Sequence, residues 1–278
     1  MPEFSLKRSI GVELQFDSTR IDCEQLAEKL QGINPTVHEE AHTPVPRNNA
    51  SWVVKPNGET VKVCSPTMPA DVGEVSSMDI LGECLSLLNF RGFSREFSSP
   101  ITRRCSYHLR IDARDIAPKE MLEVMEMAWK VEPAIKKIIP PSRRNNDSCR
   151  MLRRHFEERP ETLISYITEG HLGIDILDYL NRGSIEIRYA AGTSNVNKIL
   201  FWIVLWTSLV ERTLIQGPPE NDINSVAGLI DWLRWPEDNS DTGRARAFFL
   251  HREEEFAQRR RERVREMLRE DNEEESEE

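Results

Sequence analysis

The chain has little of several features that would settle its class at once. Its five cysteines, Cys23, Cys64, Cys84, Cys105 and Cys149, are odd in number and widely spaced, and no two form a CxxC pair. Neither a zinc site nor a redox switch of that type is legible, and a reduced, cytosolic setting is the expectation. Basic residues fall short of acidic ones, 37 against 47, for a formal net charge of -10. A surface built for nucleic acid or anionic membrane is therefore not expected, because neutralising phosphates takes an excess of cations. No apolar run reaches the roughly 20 residues of a bilayer span. The most apolar one, Ile199 to Val210, is bounded by Lys198 and Glu211 and reads as a buried helix. Met1 to Arg8 shows no cationic leader followed by an apolar stretch. There is no HExxH, only His38 and His42 in a proline-rich region that reads as loop, and no internal repeat. What remains is 38% apolar and 30% charged over 278 residues, an ordinary globular composition for one large domain or two small ones.

Periodicity then places elements. Ser9 to Phe16 alternates as a strand does, and Asp22 is set to cap a helix with Leu26 and Leu30 on one face. Residues 33 to 50 hold Pro35, Pro44 and Pro46 and favour loop, while Pro56-Asn57-Gly58 is a hairpin turn between Trp52 to Lys55 and Thr60 to Cys64. A helix is predicted from about Val72 to Leu88, a strand from Cys105 to Ile111, and a helix from Pro118 to Ile138 that stops at Pro140-Pro141. Ser142 to Arg154 is a basic loop or short helix, Ser184 to Tyr189 a strand, and Asn197 to Ile215 an apolar helix in which Trp202 and Trp206 read as core. The tally gives an α+β domain, an antiparallel sheet with helices packed on one face, over residues 1–240. Residues 241–278 form a charged helical extension whose acidic end, Glu273 to Glu278, is expected to be a solvated, disordered tail. That extension is the element expected to contact a protein partner.

Five segments carry the chemistry: Gly11-Val12-Glu13-Leu14-Gln15-Phe16, Trp52 to Gly58, Lys62-Val63-Cys64-Ser65-Pro66, Cys105 to Asp112 with His108, and Ile185-Glu186-Ile187-Arg188 ahead of Gly192-Thr193. In this order they resemble the amidoligase family, relatives of glutamine synthetase and gamma-glutamylcysteine ligase, over roughly residues 8–215. The resemblance implies a carboxylate-amine ligase fold and an ATP-dependent reaction: a carboxylate is phosphorylated and an amine displaces the phosphate. It implies ATP and Mg²⁺ as cofactors, and carboxylate and amine substrates that are peptides, proteins or small molecules. By the same resemblance Glu13 and Glu186 are metal ligands. His108, Glu186 and Arg188 are catalytic, and Arg188, Arg110, Lys62, Arg143 and Arg144 contact the nucleotide.

Four positions depart from the family pattern. Gln15 stands for a carboxylate, Arg110 for a second histidine, and Lys62 for a glutamate before Ser-Pro. An ammonium has no lone pair to give and repels a divalent ion, so Lys62 is the most damaging exchange. Asn57 replaces an acidic turn residue. Two outcomes stay open: a ligase with an impaired metal site, its ligands in part moved to Asp112, Glu59 or Asp175, or a catalytically inactive member kept as a binding or structural subunit, phage-associated roles included. Plainer readings stand beside these. Glu13 and Glu186 on apolar strands read equally as the polar side of a sheet, His108 as a structural histidine, and Cys64 and Cys105 as packing residues. The arginines of 143 to 154 read as a solvated loop neutralised by Glu157 and Glu158.

Overall fold

The alternation of Ser9 to Asp17 becomes the central strand β1 (Ser9–Asp17), with Ile10, Val12, Leu14 and Phe16 turned to one side and almost free of solvent. The computed structural model describes residues 8–20, 22–31, 38–39, 52–69, 82, 101–144 and 146–277. β2 (His38–Glu39), β3 (Val53–Asn57), β4 (Thr60–Cys64), β5 (Met68–Pro69), β6 (Tyr107–Asp112), β7 (Ile174–Asp175) and β8 (Ser184–Ile187) complete one sheet, in the order β2-β3-β4-β1-β6-β8-β7 with β5 also on β1. Every pairing is antiparallel except β2 with β3. The predicted hairpin closes β3 onto β4 through Gly58, whose φ of 60° is a left-handed value that glycine adopts without strain. His38 and Glu39 are strand, not the loop expected. A two-residue parallel edge pairing leaves no periodicity for a sequence reading to find. His42 and the predicted helix from Val72 to Leu88 lie outside the described residues, Gly82 excepted.

The helices stack on the apolar side. α1 (Cys23–Gln31) starts where expected, with Asp22 Oδ1 accepting from the amides of Glu24 and Gln25 at 2.9 and 3.2 Å. α2 (Pro118–Ile138) begins at a proline, with the Glu120 carboxylate accepting from the Ala117 amide at 2.8 Å, and stops before Pro140-Pro141. The basic stretch folds into two single turns, α3 (Pro141–Arg144) and α4 (Leu152–His155), followed by α5 (Leu163–Ile167) and α6 (Tyr179–Arg182). α7 (Val196–Gln216) has the length and apolarity of a membrane span but lies mostly buried in the core. Tyr107, on the apolar side of β6, donates to the Ile199 carbonyl of α7, and Tyr189 stacks on Trp206 at 5.7 Å. α8 (Val226–Leu233) and α9 (Asp241–Glu277) finish the layer.

Two features of α9 differ from expectation. Its first turns belong to the core: Ala245 and Phe249 are buried, Phe249 meets Trp202 edge-on at 5.5 Å, and Arg252 Nε donates to the Ile138 carbonyl at 2.6 Å. Its backbone also stays helical to Glu277 where a disordered tail was predicted. Glutamate and arginine are good helix formers, and charge alone does not end a helix.

One buried carboxylate ties the layers together. Glu132 of α2 is 2% exposed and accepts from the amides of Leu152 and Arg153, at 2.5 and 2.7 Å, and from the Tyr189 hydroxyl at 2.7 Å. Gly173, beside it, has no room for a side chain, since a Cβ would fall 1.9 Å from the Tyr189 ring. Glu132→Ala leaves three buried donors without an acceptor and is expected to cost about 3 kcal/mol, read from the urea midpoint. Glu132→Gln, which keeps one acceptor, should cost less. A midpoint for the alanine variant equal to the parent's would show that the network is not load-carrying.

Candidate functional site

Strand alternation sends the polar residues of four adjacent strands to the other face of the sheet. In register, Glu13 of β1 stands opposite His108 of β6, Arg110 of β6 opposite Glu186 of β8, and Gln15 of β1 opposite Lys62 of β4. The side chains converge. His108 Nδ1 lies 3.0 Å from Glu13 Oε1 and 2.9 Å from Glu186 Oε1. Lys62 Nζ is 2.8 Å from the same Glu13 oxygen. The Arg110 guanidinium sits further out, 3.9 Å from Glu13 Oε2 and 3.8 Å from Glu186 Oε2. Arg188 donates to Glu186 Oε2 at 3.1 Å and is 3.5 Å from Asp175 Oδ2. Glu13, His108 and Glu186 are each no more than 7% exposed, so the plainer reading of these carboxylates as open sheet surface does not hold.

Proximity here is not hydrogen bonding. Neither His108 Nδ1 nor Glu13 Oε1 meets a partner along a hydrogen-bonding direction, so both are buried polar atoms left unsatisfied. These two atoms and Glu186 Oε1 lie within 4.8 Å of one another. Two carboxylate oxygens and an imidazole nitrogen at that spacing suit one divalent cation, so the donor set fits a metal. Lys62 is the opposing feature, since its ammonium lies 2.8 Å from one of the donor oxygens, Glu13 Oε1, as an ion pair.

The charges respond to this crowding. Burial raises the Glu13 carboxyl, but His108 and then Lys62 outweigh it and hold the group well below the usual carboxylate range. Glu186, opposed in the same way by His108, Arg188 and Arg110, comes down to about 2. Burial lowers His108, and the two carboxylates overcome it, so the imidazole is raised above its ordinary value. Cys64, 3.9 Å from Glu13 Oε2, is pushed up to about 12 by burial and by that carboxylate, which makes it an inert packing thiol.

Other candidates are engaged elsewhere. Gln15 Oε1 accepts from the Ser106 hydroxyl at 2.5 Å, and Asn57 bonds Thr60 within its own turn. Glu59 pairs with Arg104 and Asp112 with Arg114 at the surface. Arg143 is buried and donates to the Cys105 carbonyl at 2.7 Å, while Arg144 donates to the Ile139 carbonyl and lies over the Phe256 ring. No contact brings either arginine to the Glu13, His108 and Glu186 group among the described residues. Asp175, one of the three acidic residues named as alternative ligands, reaches the group as the partner of Arg188. At 3% exposure its Oδ1 accepts from the Leu177 amide and its Oδ2 from the His171 amide, fixing the carboxylate beside Arg188. The signal was weak, one acidic residue in a two-residue edge strand. A cleft of about 620 Å³ opens onto the group from one end of the sheet, lined by Gly11, Glu13, Ser65, Arg110, Arg114 and Arg182 among others.

With this geometry in view, comparison by family is informative. The model of a family described as "Putative amidoligase enzyme" matches residues 90–181, about a third of the chain. Over that segment the chain is similar to the amidoligase family. It contains His108, Arg110 and Asp175, whereas Glu13, Lys62, Glu186 and Arg188 lie outside it and are joined to it by the sheet. No curated protein matches the chain.

The shifts dictate a pH optimum for stability of the amidoligase-like chain in chelator. Glu186, lowered from 4.5 to about 2, contributes stability that is present above 4.5 and lost as pH falls through the lower value. His108, raised above 6.5, contributes stability that is complete below 6.5 and lost as pH rises through its folded value. The urea midpoint should therefore be highest between 4.5 and 6.5, and His108→Gln should flatten the decline on the alkaline side. Parallel profiles for parent and variant above pH 6.5 would contradict the assignment.

Proposed function

We propose that this chain is an amidoligase-like carboxylate-amine ligase that uses ATP, with a divalent-cation site weakened by Lys62. The observation that carries the proposal is the convergence of Glu13 Oε1, His108 Nδ1 and Glu186 Oε1, buried and without hydrogen-bond satisfaction at two of the three atoms. In the reaction the family implies, a carboxylate oxygen of the substrate attacks the γ-phosphorus of ATP. The bond from that phosphorus to the bridging oxygen breaks and ADP leaves with the electron pair. The nitrogen of the amine then attacks the acyl carbon, the carbon-to-phosphate oxygen bond breaks, phosphate departs, and the nitrogen loses a proton. Glu13, His108 and Glu186 would hold Mg²⁺ or Mn²⁺, which when bound neutralises phosphate charge.

The chain's own residues supply the rest. Arg110 makes no hydrogen bond among the described residues and lines the cleft, so its fork is open to a carboxylate or phosphate entering there. Arg188, steadied by Asp175, fixes Glu186 from the far side. Holding a cation requires His108 to give up its proton, so affinity should rise with pH. A cytosolic setting suits Cys23, Cys64, Cys105 and Cys149, all free thiols.

The contact of 2.8 Å between Lys62 and Glu13 favours a second reading, an inactive member in which lysine stands in for the cation. Titration calorimetry with a non-hydrolysable ATP analogue separates the two. The ligase reading expects binding that needs Mg²⁺ or Mn²⁺ and disappears in chelator. Absence of binding in every condition supports the inactive one. Changing Lys62→Glu, Gln15→Glu and Arg110→His together should tighten Mg²⁺ by tenfold or more, about 1.4 kcal/mol. Unchanged Mg²⁺ affinity would clear those three residues of weakening the site.

A further inference from the structure

The last half of α9 leaves the body of the protein. Every residue from Ala257 to Arg269 is exposed, on all sides of the helix, and the helical backbone continues to Glu277. At 1.5 Å per residue, the stretch 257–277 is about 30 Å long. Local pairs such as Arg259 with Glu255, at 2.6 Å, support it, but a helix of this length alone in water is only marginally stable.

Its charges are sorted by position. From 257 to 269 there are six arginines and two glutamates, and from 270 to 278 seven acidic residues and no basic one. Where the two blocks meet, Val264, Met267 and Leu268 are 45%, 57% and 56% exposed. Their i, i+3, i+4 spacing sets them on one face of the helix.

We propose that this segment pairs antiparallel with the same segment of a second copy, about a two-fold axis at Met267. That axis sets the basic block of each copy against the acidic block of the other. Positions equidistant from Met267 then stand opposite each other. Along the pair Arg259 is then level with Glu275, Arg260 with Glu274, Arg261 with Glu273 and Arg263 with Asp271 of the other copy, so that block faces block. The apolar residues of both copies fall together at the centre, and one unfavourable juxtaposition, Arg265 with Arg269, lies beside them. A parallel pair would set arginine block on arginine block. A polyanion or an anionic membrane would attract the basic block but be repelled by the acidic one that continues it. A second copy is the one partner that complements both. The contact is smaller than the interfaces of ordinary stable complexes and mostly ionic, so the association is weak and sensitive to salt.

The test uses the full chain in sedimentation equilibrium at about 100 µM, in low salt and in about 0.5 M salt. A dimer at low salt that dissociates at high salt is expected. Reversing Arg259, Arg260 and Arg261 together to Glu should weaken dimerisation at least about tenfold, and adding the reversal of Glu273, Glu274 and Glu275 to Arg should restore it. Arg259, Arg260 and Arg261 are exposed in the single chain, and circular dichroism would verify that helicity is kept. A monomer at low salt, an association indifferent to the first reversal, or no recovery with the second would each overturn the proposal. So would binding of the parent to phosphatidylserine vesicles, abolished by the first reversal, in the absence of any dimer. None of these outcomes depends on ATP or metal binding.

Discussion

Everything on the polar face of this sheet follows from the burial of two carboxylates, Glu13 and Glu186, on neighbouring strands of β6. Each is at most 7% exposed, and an ionised carboxylate at that depth is tolerable only if cations or donors surround it. His108 lies between them on β6, and Lys62, Arg110 and Arg188 close the other sides. The pair cannot be separated from this shell. Removing one cation leaves an anion without compensation, and the low pKa of both acids is the measure of how fully the present shell compensates.

The fold supplies what the shell needs, a rigid floor. β1, nine residues long, is paired on both sides, by β4 and β6, and the apolar side of the sheet is locked to the helical layer through Tyr107 on Ile199 and through Tyr189, which also reaches Glu132. Tyr189 directly follows Arg188, so the bond to α2 on one face of the sheet fixes the backbone that aims Arg188 on the other. Asp175 does the same from β7: two main-chain amides hold its carboxylate, and that carboxylate holds the guanidinium. Packing and site are thus connected through single residues in sequence, one pointing down and the next up.

Strand alternation is why much of this was legible in the sequence. A period of two sorts Glu13, His108, Arg110, Glu186 and Arg188 onto one face without any knowledge of the third dimension, and the hairpin at Gly58 fixes which residues of β4 join them. The arginines of 143 to 154 show where that legibility stops. A basic stretch has the same composition whether its guanidinium groups face solvent, a phosphate or the chain's own carbonyls. Here Arg143 took the Cys105 carbonyl and Arg153 the Trp129 carbonyl, which lacks its helical donor because Pro133, four residues on, has no N–H. The role of Asp175 was hidden for the opposite reason: its strand is two residues long and carries no pattern. The C-terminal helix was found, but its anchoring was not, because Ala245 and Phe249 are too few to mark a core-facing stripe by themselves.

The remaining question of physics is whether lysine or a divalent cation is the better occupant of the site. Lys62 is bound to Glu13 but its side chain is 19% exposed, so its ammonium can swing to water at the cost of one contact and little desolvation. A divalent ion brings twice the charge to the three donor atoms, but it must also expel the proton that the two carboxylates stabilise on His108. As pH rises His108 gives up its proton, and a neutral imidazole leaves Glu13 and Glu186 with less compensation, which holds Lys62 more firmly but draws a doubly charged ion more strongly still. The attraction of the two acids for a second positive charge then grows. On the proposed reading, the exchanged residues therefore do not simply erase a cation site. They convert it into one where cation binding competes with a proton and a tethered ammonium, and the balance is set by how firmly Lys62 is held, not by which ligands survive.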